Sequence, residues 1–126
     1  MKSKENVFLI VDDEPDMCWA LEHILEKNGY PSKKALNGQE ALKLVEGNRF
    51  QLAFLDAKLP DIEGLELARR IRELDPSIDI VIVSGYFYKD DVGIQHSLAE
   101  GLISSFISKP FNHDEILKTI ESNLSS

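Results

Sequence analysis

The stretch QLAFLDAKLPDIEG, residues 51–64, sets an apolar run directly against a bare carboxylate. Leu52, Ala53, Phe54 and Leu55 show no polar alternation, which reads as a strand buried on both faces, the habit of a parallel sheet. Asp56 then ends the run, at a position where an unpaired charge is costly to bury. NVFLIVDDE, residues 6–14, repeats the arrangement with Asp12 and Asp13 after an apolar strand from Val7 to Val11.

Outward from these strands, β-rich runs alternate with helix-period segments along the chain. PDMCWALEHILEKNG places Met17, Leu21, Ile24 and Leu25 at helical spacing, with Pro15 suited to a first turn and Gly29 to the stop. PSKKAL is a short, weak strand. NGQEALKLVEG opens with Asn37 and Glu40 in capping-box spacing. GLELARRIRELDP puts Leu67, Ala68, Ile71 and Leu74 on one face, and its Arg69-Arg70-x-Arg72 grouping reads as a solvated face. IDIVIV, residues 78–83, is a fourth strand, a helix follows over about 90–100, and LISSFIS is a fifth strand. NHDEILKTIESNL closes with Asn112 and Glu115 as caps and Ile116, Leu117, Ile120 and Leu124 facing inward. Successive βα units predict a parallel sheet covered by helices on both sides. With no repeat, linker or low-complexity tract, residues 1–126 read as one domain.

At 126 residues such a domain buries roughly two-thirds of its unfolded surface and needs no disulfide or structural metal. The lone cysteine, Cys18, favours a reducing compartment, and packing explains it better than redox chemistry. No apolar run reaches the roughly 20 residues that span a bilayer, and the start does not read as a signal peptide. A cytoplasmic protein is expected. The net charge of −8, from 22 acids and 14 bases, argues against a nucleic-acid partner. His23, His96 and His113 lack metal-ligand spacing.

Open α/β sheets bind ligands beyond the carboxyl ends of their strands. Asp12 and Asp13 follow strand one, Asp56 ends strand three, Ser84 follows strand four and Lys109 follows strand five. If strands one and three are neighbours, the carboxylates share one crevice with a hydroxyl and an ammonium. Such an oxygen-only set suits Mg²⁺, and a carboxylate beside Mg²⁺ and a lysine can attack phosphorus.

VDDEP, FLDAKLPDIEGLEL, IVSG and FISKPF occur in the order found in the receiver domain of two-component response regulators, which the chain resembles over essentially its whole length. The resemblance implies a flavodoxin-like (CheY-like) doubly wound five-stranded sheet of order 2-1-3-4-5 with five helices. It implies that Asp56 is the phosphoacceptor, served by a sensor histidine kinase or phosphotransfer protein. Asp13 and Asp56 would bind Mg²⁺ directly, with the backbone carbonyl of Lys58 as third protein ligand and Asp12 acting through water. Ser84 and Lys109 would contact phosphoryl oxygens. Phe106 would report phosphorylation, with Ser84, on the face of helix four, strand five and helix five. There an unidentified downstream partner or a phosphorylation-dependent dimer would bind. The Lys109–Pro110 peptide would be cis.

The implied role is a switch, not a turnover enzyme. Its only chemistry would be gain and loss of its own phosphoryl group. An aspartyl phosphatase would want an acid where Lys58 stands, and a flavin carrier would want a small-residue phosphate loop where DDEPD stands. A scaffold independent of phosphate, and a receiver excised from a larger kinase or transcription regulator, are the remaining alternatives. The interval from Ser84 to Lys109 is a few residues longer than the family norm and carries Tyr86, Phe87 and Tyr88 as packing or partner-binding residues. The side chains of Lys58 and Tyr86 are expected to overhang the phosphoryl site and slow hydrolysis.

Overall fold

A computed structural model describes residues 7–85 and 91–124. In chain order the elements are β1 (Phe8–Val11), α1 (Pro15–Lys27), β2 (Ser32–Ala35), α2 (Gly38–Gly47), β3 (Leu52–Asp56), α3 (Gly64–Leu74), β4 (Asp79–Ser84), α4 (Val92–Ala99), β5 (Ser105–Ser108) and α5 (His113–Leu124). The strands pair in parallel in the expected order, β2-β1-β3-β4-β5. Register aligns the strand ends that matter. Val11 pairs with Leu55, so Asp12 stands level with Asp56. Asp56 in turn pairs with Val83, next to Ser84, and Ser84 pairs with Ser108, next to Lys109.

Side-chain alternation along each strand divides the core in two. Leu9, Val11, Ala53, Leu55, Ile80 and Ile82 pack with Ala41 and Val45 of α2, Leu67, Ala68 and Ile71 of α3, and Ile94 of α4. Phe8, Ile10, Leu52, Phe54, Val81 and Val83 pack on the opposite face with Cys18, Leu21 and Leu25 of α1 and Ile116 and Ile120 of α5. Every residue of β1 and β3 is buried, which accounts for their unbroken apolar reading.

The predicted caps form. Asn37 Oδ1 accepts from Glu40 N at 2.8 Å, while Glu40 reaches past Asn37 to accept from Leu36 N at 2.9 Å. Asn112 and Glu115 cap α5 reciprocally, at 2.8 and 3.1 Å. Some expectations shift. Leu102 and Ile103 are buried but precede the ladder, so β5 is shorter than LISSFIS suggested. Helix α4 begins at Val92 because Asp91 is its cap, accepting from Ile94 N at 3.1 Å. Cys18 is fully buried, whereas Trp19 is 63% exposed and stacks on His23. Leu74, the last residue of α3, is 47% exposed because the helix ends beyond the core it covers. Leu117 is half-buried, and the side chain of Leu124 lies outside the described residues. Among the described residues no helix is long and apolar enough to cross a membrane.

Arg72 overturns the reading of a solvated arginine row. Arg69 and Arg70 do lie exposed beside Glu66, at 3.9 and 3.6 Å. Arg72 instead turns its guanidinium onto backbone carbonyls of Pro76 at 3.0 Å, Leu102 at 2.9 Å, and Ile78. A planar fork with several donors can satisfy carbonyls from separate loops, and here it ties the end of α3 to the segments leading into β4 and β5. Arg72→Ala is expected to lower unfolding free energy by about 2–3 kcal/mol in urea titrations, and Arg72→Lys to recover less than half of that loss.

Candidate functional site

The crevice beyond the strand ends is built from side chains that the register delivers. Asp56, the last residue of β3, is 6% exposed, and Asp12, just past β1, is 3% exposed. Asp13 points into the open crevice from the next position and is exposed. One carboxylate oxygen from each of Asp12, Asp13 and Asp56 lies within 4.8 Å of the others. Glu14 N and the Cys18 thiol hold Asp12 in place, donating to its Oδ1 at 2.9 Å and its backbone carbonyl at 3.3 Å.

Lys109 enters from the far side of the sheet. Its backbone N donates to the Ser84 carbonyl at 3.0 Å, extending the β4–β5 ladder by one rung. Its ammonium lies 3.0 Å from Asp12 Oδ2, 3.7 Å from Glu14 Oε1 and 3.8 Å from Asp56 Oδ1. The Lys109–Pro110 peptide is cis, as expected. Together with Asp13, Glu14, Lys58 and Gly85, Asp56 and Lys109 line a cleft of about 580 Å³. Lys58 N faces Asp56 Oδ1 at 3.4 Å.

Burial, and after it the neighbouring charge of Asp12, push the Asp56 carboxyl up to about 6 against the opposing pull of Lys109. Burial pulls the Lys109 ammonium down, but its hydrogen bond to Asp12 and the charges of Asp12, Asp56 and Glu14 outweigh that and raise its pKa. Burial and Asp12 likewise push the Cys18 thiol up to about 11, which fits a packing group and not a nucleophile. The carboxylate cluster could hold a metal ion, and its all-oxygen donors suit a hard cation.

Asp12, Asp13, Asp56 and Lys109 thus meet in one place, with Lys58 on the rim. Ser84 is fully buried at the end of β4, beside the crevice wall. Phe106 lies on β5 away from the carboxylates, half-buried in a hollow with Ile94 and Leu98 of α4. Tyr86, Phe87 and Tyr88 lie outside the described residues. Sequence reasoning missed two features. Lys109 pairs most closely with Asp12, where a phosphoryl oxygen was its expected partner, and Glu14 joins the cluster. Glu14 could have been suspected from its place after two acids, but an acid opening a helix has a sufficient explanation in the helix dipole.

The profile of the response regulator receiver domain family matches residues 8–121. The chain belongs to that family. This receiver is 35% identical to sporulation initiation phosphotransferase F of Bacillus subtilis over 116 residues, covering 92% of this chain and 91% of that protein. It superposes on a CheY-like response regulator receiver domain protein from Methanospirillum hungatei with a TM-score of 0.87 at 32% identity, covering 98% and 95% of the two chains. The response regulator TrrA of Thermotoga maritima, solved in complex with Mg²⁺–BeF, gives a TM-score of 0.80 at 30% identity, covering 94% and 98%. Receiver domains are phosphoacceptor signalling domains of two-component systems, and this chain is one of them.

The raised Asp56 carboxyl has a consequence for stability. Folded Asp56 holds its proton up to about pH 6, whereas the ordinary value is 3.8. Its protonation therefore favours the fold at low pH, and that contribution is lost as pH rises through the interval. At pH 7 the ionised group opposes folding by about 2–3 kcal/mol. In chelator-treated protein, Asp56→Asn is expected to be the more stable by about 2 kcal/mol at pH 7, with the gain vanishing near pH 4. Urea titrations at both pH values check this.

Proposed function

We propose that Asp56 is the phosphoacceptor of this receiver and that residues 1–126 act as one switch domain. The observation that carries the reading is a buried carboxylate at the end of β3, with two further carboxylates and the Lys109 ammonium gathered around it. A carboxylate oxygen of Asp56 forms a bond to phosphorus as the bond from phosphorus to the donor's imidazole nitrogen breaks. The donor is a phosphohistidine on a sensor kinase or phosphotransfer protein. Burial keeps the nucleophile weakly solvated, and at pH 7 it is still mostly ionised. Lys109 stands close enough to exchange its present partner, Asp12, for an incoming phosphoryl oxygen. Ser84, fully buried at the neighbouring strand end, offers a hydroxyl to another.

Asp13 and Asp56, the backbone carbonyl of Lys58, and Asp12 through water would hold Mg²⁺, which would supply charge to offset carboxylate repulsion and the developing phosphoryl charge. The Mg²⁺–BeF complex of the Thermotoga relative supports that choice of ion. Phe106, half-buried beside Ile94 and Leu98, is the proposed reporter, and the α4–β5–α5 face is the proposed surface for a downstream partner or a dimer. The chain's own chemistry is limited to accepting and losing the phosphoryl group, in the cytoplasm.

Acetyl phosphate with and without Mg²⁺ tests the reading directly. Labelling should rise about tenfold or more with Mg²⁺ and disappear in Asp56→Asn, while persistence of the label in that variant would exclude Asp56. Lys58 at the rim is proposed to hinder the hydrolytic water. Phospho-Asp56 in Lys58→Ala should therefore decay faster than in wild type, by about threefold or more, as followed by loss of radiolabel.

A further inference from the structure

We propose that Asp61 is a positioning residue for this site, acting by tying the tip of the 57–64 loop to the first turn of α2. The inference rests on the reading of Asp56 and its cation given above.

Asp61 Oδ1 accepts from Gly38 N at 2.8 Å and Oδ2 from Gln39 N at 3.0 Å. With Asn37 serving Glu40 N, consecutive amides at the start of α2 all have side-chain acceptors. Two of those three acceptor oxygens belong to Asp61, on a loop more than twenty residues away. A negative charge there is favoured by the helix dipole. The Gly38 hydrogen bond first, with help from that of Gln39, holds the Asp61 carboxyl below its ordinary range although burial opposes it. Contact between loop and helix is close. A Cβ at Gly38 would overlap Ile62 Cγ2, so glycine is what lets the loop lie against α2.

The loop itself is a narrow hairpin-like turn. Lys58 bridges to Glu63, Leu59 N donates to Ile62 O at 3.3 Å, and Gly64 N donates to Ala57 O at 2.7 Å. Its base is thus closed by its own backbone, while Asp61 at the tip sets where the turn lies against the rest of the domain. Lys58 sits between base and tip, with its amide on Asp56 Oδ1 and its carbonyl the proposed cation ligand. Releasing the tip leaves the base bonds standing, so the domain should still fold, but the turn as a unit, with the Lys58 peptide on it, loses its fixed placement against α2 and Asp56.

Isothermal calorimetry of Mg²⁺ binding without phosphate is the test, on wild type, Asp61→Ala, Asp61→Asn and Asn37→Ala. Asn37→Ala removes a cap from the same helix end without touching the loop, so it reports loss of helix stability alone. Asp61→Ala should weaken Mg²⁺ binding about tenfold, Asp61→Asn by less, and Asn37→Ala by under about twofold despite a lower melting temperature. Equal affinity in wild type and Asp61→Ala, or the same loss in Asn37→Ala, would overturn the positioning role while leaving the reading of Asp56 intact. Absence of Mg²⁺ binding in wild type would sink both. If Asp61→Ala proves too unstable to titrate, Asp61→Asn decides by the same criterion.

Discussion

The ion pair between Lys109 and Asp12, at 3.0 Å and almost shut off from water, is the contact on which the functional edge of this domain depends. Asp12 and Asp56 end neighbouring strands and are both buried, so their repulsion is screened far less than it would be at the surface. One ammonium cannot neutralise Asp12, Asp13, Glu14 and Asp56 together, and Lys58 on the rim still leaves the crevice with excess negative charge. Burial first, and after it the uncompensated charge of Asp12, keep the Asp56 carboxyl raised. A site assembled in this way is poised for a cation, because binding one removes a cost the fold already bears.

Holding such a cluster requires a rigid frame, and the sheet supplies it. β1 and β3 are buried on both faces, and their pairing leaves Asp12 and Asp56 side by side with no loop freedom between them. Gly64 sits so tightly against the Asp56 carbonyl that a Cβ would not fit, which fixes the chain just beyond Asp56. Behind the sheet, Arg72 gathers carbonyls from the segments that enter β4 and β5, the two strands that deliver Ser84 and Lys109. Stability and function therefore lean on the same elements at opposite ends of the strands.

Much of this was legible in the chain itself. The unbroken apolar runs named the buried strands, the Asn-x-x-Glu spacings named two helix starts, and the strand-end acids with Lys109 named the side chains that gather in the crevice. Errors fell where a side chain could choose between solvent and a distant partner. Arg72 looked like its exposed neighbours because helical spacing alone cannot reveal a carbonyl presented by another loop. Leu102 and Ile103 looked like strand because burial and pairing leave the same apolar mark.

The sequence by itself determined which stretches are strand or helix and which residues stand at strand ends, since those follow from local periodicity, caps and the cost of burying charge. Only the tertiary structure decided that Lys109 reaches first to Asp12, that Glu14 joins the cluster and that Asp61 caps a helix begun more than twenty residues earlier. Long, flexible side chains find their partners through three-dimensional distance, and nothing in one-dimensional spacing encodes which of several equally charged groups will be nearest.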